Sequence, residues 1–109
     1  MTDVRPASEF PIEPWELRAY VSEDPSRTYR PMNGSGCLLG RYASERLSEG
    51  FWQAGPLRGL VHLVPLDWAE RYQLPMWAFD LINTFDERFG HRQTVTGKQV
   101  LEAGILPRD

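Results

Sequence analysis

Apolar positions along this 109-residue chain recur mostly at three-to-four spacing, the period of an amphipathic helix. The first such stretch follows Glu13-Pro14-Trp15-Glu16-Leu17. A proline at the first helical position loses no needed donor, and early glutamates suit the helix dipole. Trp15, Ala19, Tyr20 and Val21 supply the stripe, and Pro25 predicts a stop near Glu23 by restricting Asp24. The loop signal Asn33-Gly34-Ser35-Gly36 comes next. Cys37, Leu38, Leu39, Tyr42, Ala43, Arg46 and Leu47 then predict a helix of about ten residues, with Gly50 as its stop.

Residues 51–64 do not share this period. Phe51-Trp52-Gln53-Ala54 and Leu60-Val61-His62-Leu63-Val64 flank Gly55-Pro56-Leu57-Arg58-Gly59, which suits an irregular β-hairpin or a loop with one short strand. From Pro65 a short helix is expected, with Asp67 and Glu70 at capping-box spacing. Pro75 opens the next helix, with Met76, Phe79, Ile82, Phe85 and Phe89 on one face and Gly90 at its end. Thr96 with Gln99, then Val100, Leu101 and Gly104, mark a last helix. The predicted fold is mainly α: a small single domain of about four or five short helices, with room for one short β-hairpin. Residues 1–11, with Pro6 and Pro11, read as an extended N-terminal arm, and 12–109 as one globular domain. The expected core is Trp15, Leu38, Leu39, Tyr42, Leu63, Met76, Phe79, Ile82, Phe85, Val100 and Leu101.

Composition narrows the function classes. Net charge is -3, which argues against direct nucleic-acid binding through a basic face. No apolar run is long enough for a membrane span, and MTDVRPASEF does not read as a secretory signal, so a cytoplasmic location is expected. One cysteine cannot form an internal disulfide or a multi-cysteine zinc site. Lys98 is the single lysine among twelve basic residues, a bias that fits a GC-rich genome as readily as it fits arginine-rich contacts.

Two segments carry a resemblance. GSGCLLGRYA, Gly34 to Ala43, resembles the Cys-aliphatic-aliphatic-Gly helix of small uncharacterised proteins from actinobacteria and their phages. The chain's end, with Asp86, a loop and then Thr94 to Leu101, is similar to how such proteins finish. Arg41 departs from the small residue expected there. The resemblance implies a small, mainly helical domain and carries no catalytic residues.

Candidate chemistry is sparse. Cys37, just after glycines at a helix start, is a conceivable thiolate nucleophile, but only His62 and His91 are available as bases, and a buried structural thiol is the commoner fate. His91 with Asp86 and Glu87 does not make a metal pattern, because Gly90 breaks the helix between them. Gly34-Ser35-Gly36 lacks the lysine of a phosphate loop, and no cofactor motif occurs. Glu45 and Glu49 at i,i+4 read as solvent-facing surface. The aromatics say more. Phe51 and Trp52, in the least regular segment, are either folding anchors or an exposed patch, and Arg58, Tyr29 and Arg30 suit the completion of such a patch. The expected function is a non-catalytic protein-binding module acting on another protein through Phe51, Trp52, Arg58, Tyr29 and Arg30. An accessory protein of a phage or mobile element, or an inhibitor of a host machine, would fit the resemblance. The alternatives are a small enzyme using Cys37 and an acidic mimic of nucleic acid.

Overall fold

Among the described residues four α-helices form where their end signals stand, besides a 3-10 turn at Ala7–Glu9. Helix α1, Pro14–Glu23, begins with a capping box in which the Glu13 N–H donates to the Glu16 carboxylate at 3.0 Å. Helix α2 is Leu38–Arg46, α3 is Met76–Phe89, and α4 is Gly97–Ala103. In α4 the Gln99 N–H donates to Thr96 Oγ1 at 3.2 Å, and Gly104 closes the helix at φ 67°. The computed structural model describes residues 2–63 and 69–107.

The mainly α expectation is corrected by the strands. Among the described residues there are six: β1 Thr2–Arg5, β2 Thr28–Tyr29, β3 Phe51–Gly55, β4 Gly59–Leu63, β5 Ala69–Tyr72 and β6 Val95–Thr96. Four make one sheet in the order β1-β5-β4-β3, and β2 pairs with β6 in a second. The domain is therefore α/β, not mainly helical. β3 and β4 form the hairpin, antiparallel, with Trp52 opposite His62. β5 lies antiparallel to β4 and parallel to β1.

β5 occupies the place of the expected helix after Pro65. That stretch is bracketed by Pro65 and Pro75, which confine any helix to about two turns with little apolar face of its own. The free edge of β4 meanwhile presents unpaired N–H and C=O groups that a strand satisfies. Glu70 of the expected capping box is a strand residue, and Asp67 lies outside the described residues. Residues 2–5 of the N-terminal segment join the same sheet. Phe10 and Ile12, just beyond them, are buried.

The helices turn slightly different faces inward from those expected. α1 buries Leu17, Tyr20 and Val21, and Trp15 is 56% exposed. α3 buries Ala78, Leu81, Ile82, Phe85 and Phe89, a continuous i, i+3, i+4, i+7 strip. Met76 and Phe79 fall outside that strip, Met76 at 74% exposure. Leu101 is exposed beside the fully buried Val100, and Leu63 is half-buried. Leu38, Leu39, Tyr42, Ile82, Phe85 and Val100 lie in the core as expected.

The Cys-Leu-Leu-Gly segment has a local explanation. Cys37 is the N-cap of α2, and its Sγ accepts from the Gly40 N–H at 3.5 Å. A Cβ on Gly40 would sit 2.1 Å from the Gly34 carbonyl oxygen, so only glycine lets the preceding loop lie on the first turn. The same Gly34 carbonyl accepts from the Ala54 N–H at 2.8 Å, which fastens the loop to the outer edge of β3. None of the described helices is long and apolar enough to cross a membrane.

Candidate functional site

The five residues expected to form one patch are dispersed. Trp52 is 2% exposed; its indole N–H donates to the Ser48 carbonyl at 2.9 Å, and its ring stacks on His62 at 3.8 Å. It is a core anchor, which removes it from any surface patch. Strand pairing, not loop structure, explains the burial, since Trp52 and His62 face the same side of the hairpin. Tyr29 is likewise buried, edge-on to Tyr20 at 6.4 Å. Phe51 and Arg58 are exposed at opposite ends of the hairpin. Arg30 is exposed on a separate hollow of about 390 Å³ shared with Arg92.

Tyr29 belongs to a seam between α1 and α2. The Tyr20 hydroxyl donates to Glu45 at 2.5 Å, with the Arg27 guanidinium 3.9 Å above its ring. Burial, reinforced by Glu45, pushes the Tyr20 phenol well up. Burial alone would raise the Glu45 carboxyl, yet bonds from Tyr20 and Arg41 outweigh it and hold that carboxyl below its usual range. Tyr20, Arg27 and Arg41 converge on Glu45 and tie the two helices together, while the buried Tyr29 hydroxyl beside them has no hydrogen-bond partner.

Cys37 also serves packing. Burial is the main reason its thiol is pushed up, with the Asp86 carboxylate adding to the effect against backbone N–H groups of Gly40 and Leu39. The thiol donates to the Gly34 carbonyl at 3.7 Å. Of the two histidines, His62 Nε2 is bonded to the Glu49 carbonyl at 2.7 Å beneath Trp52, and His91 is exposed. Burial that pushes the thiol up disfavours the thiolate that nucleophilic attack needs. Among the described residues no group of three or more His, Cys, Asp or Glu could hold a metal ion.

The surface that does stand out is the second face of the four-stranded sheet. Register places Trp52, Ala54, Leu60 and His62 on the inner face, with Glu70 and Tyr72. The alternate residues Phe51, Gln53, Val61, Leu63, Ala69, Arg71 and Val4 share the outer face. All are partly or fully exposed, Val4 at 57% and Phe51 at 42%. At the hairpin end this face runs into a groove of about 390 Å³ walled by Val4, Leu57, Arg58, Arg71, Leu74 and Phe79. Leu57, at 96% exposure, stands over it.

Sequence reasoning reached only Phe51 and Arg58 of this surface. Val61 and Leu63 were hidden because β4 reads Leu-Val-His-Leu, apolar on both faces, so alternation does not say which side is inward. Arg71 lay in the segment read as a helix. No protein-family model, curated protein or solved structure matches the chain.

Proposed function

We propose that this domain is a non-catalytic protein-binding module whose docking surface is the outer sheet face with the hairpin-end groove. The observation that carries the reading is the composition of that surface. It joins exposed Val4, Phe51, Leu57 and Phe79, from two strands, the hairpin turn and α3, through the half-buried Val61 and Leu63 of β4, and none of its described residues is acidic. An apolar patch continuous across several elements is what association sites share, whereas single exposed apolar residues are ordinary. The thiol lines only a smaller hollow of about 230 Å³, and the Tyr29 hydroxyl lies buried within the core.

The test uses a photo-crosslinking residue at position 57, with a second at position 102 on α4 as control. A partner joined from 57 and not from 102 is then purified and titrated against the chain. Its affinity should fall at least tenfold in Val61→Glu and hold in Glu102→Gln. Equal crosslinking from both positions, or an affinity indifferent to Val61→Glu, would overturn the reading.

A further inference from the structure

Building on that docking surface, we infer that its occupant is a short extended segment in which apolar side chains flank a carboxylate, with Arg71 as the anchor for the acid. Arg71 stands in the middle of the outer face, opposite Val61 on one side and Val4 on the other. Its stem passes Gly59, where an added Cβ would lie in ordinary contact with Arg71 Cγ at 3.8 Å. Its Nε is shielded from solvent and makes no hydrogen bond, so an acceptor on the outer face meets it once the guanidinium turns outward. Buried donors in folded proteins are nearly always satisfied, and an unmatched guanidinium N–H is a strong, directional demand for an acceptor. Carboxylates meet arginine in a forked, two-bond geometry that fills such a demand.

Charge supports the same occupant. The chain as a whole is acidic, at net -3, yet the outer face and groove present Arg71 and Arg58 and no described carboxylate. Glu70, the nearest acid along β5, points to the inner face and accepts from Arg5. The surface is therefore a local basic and apolar island on an acidic body, and it would draw an acidic, apolar partner. A second copy of this chain fits poorly, because a two-fold axis through the middle of this face would bring each Arg71 towards its own counterpart. Size points the same way. Four strands at ~4.8 Å spacing and about five residues of rise give a face on the order of 200–300 Å². That is well short of the roughly 800 Å² that each partner contributes to a stable interface between folded domains. A short strand-like segment needs no more than this face and its groove.

The experiment titrates the isotope-labelled full chain with three end-blocked hexapeptides, SLDLDS, SLKLKS and SSDSDS, and reads amide and arginine Nε–H shifts. SLDLDS at about 1 mM should move the resonances of Val4, Leu57, Val61 and Arg71, and the Arg71 Nε–H above all. SLKLKS and SSDSDS should bind at least tenfold more weakly. Arg71→Gln should lose binding of SLDLDS about tenfold, and Arg71→Lys should recover only part of it, because lysine restores charge without the fork. Equal shifts with SLKLKS would overturn the carboxylate assignment. Shifts scattered away from the face, or none with SLDLDS, would overturn the peptide class. Each of those results leaves the crosslinking test of the docking surface to be decided on its own outcome.

Discussion

The two faces of the four-stranded sheet are built from the same strands and end in opposite states. On the inner face Trp52 stacks on His62, both rings give their ring nitrogens to backbone carbonyls, and Ala54 and Leu60 are buried beside them. On the outer face Phe51, Val61, Leu63 and Val4 remain partly exposed around an arginine with an unanswered donor. Position along the strand does not separate them; parity does, since neighbours in sequence point to opposite sides. Two buried polar atoms among the described residues have no partner: the Tyr29 hydroxyl inside the core, and the Arg71 Nε–H on a face that is apolar and free of described acids.

The comparison can be broken from the inside first. Trp52→Ala removes a stacked, hydrogen-bonded core ring and should cost about 3–5 kcal/mol of stability, read by urea denaturation. A loss under about 1 kcal/mol would mean that the inner face is not the load-carrying one. Next comes the turn that both faces share. Gly59 sits at φ 77°, and an added Cβ would approach the Tyr72 carbonyl oxygen to 2.3 Å. Gly59→Ala should therefore destabilise by about 2 kcal/mol, and should also disturb the floor under Arg71. Wild-type stability in that variant would show that the hairpin end tolerates movement. The smallest expected effect is on the outer face itself. Val61→Glu places a carboxylate directly across from Arg71, and stability should stay within about 0.5 kcal/mol of wild type. In the same variant the Arg71 Nε–H resonance should shift as an internal acid takes the bond. An unmoved Nε–H resonance would show that the guanidinium cannot turn to an acceptor on this face.

Much of the helical layer was legible in the sequence because its end signals are chemical and local. Pro14, the Thr96–Gln99 box, Gly104 and the Pro75 and Gly90 bounds of α3 mark ends that the structure keeps. What a helix buries was less legible. The α3 strip passes through Ala78 and Leu81, and the large apolar Met76 and Phe79 drew attention to the wrong side. The sheet was harder still. β5 is Ala-Glu-Arg-Tyr, which has no strand signature of its own and becomes a strand because β4 needs a partner. The candidate surface inherited that difficulty, since Arg71 acquires its setting only from strand pairing, with Val61 across the undescribed connection and with Val4 near the start of the chain. Trp52 illustrates the reverse: its residue type suggested an interface, and the hairpin register turned it inward.

If Arg71 is kept for a partner and not for the fold, the stability of Arg71→Met will show it. Methionine keeps the unbranched apolar stem and deletes the unmatched donor. The account predicts that Arg71→Met is as stable as wild type, or more stable by up to about 1 kcal/mol, in urea denaturation at neutral pH. A loss of more than about 1 kcal/mol would contradict it, because the guanidinium would then be holding the sheet together.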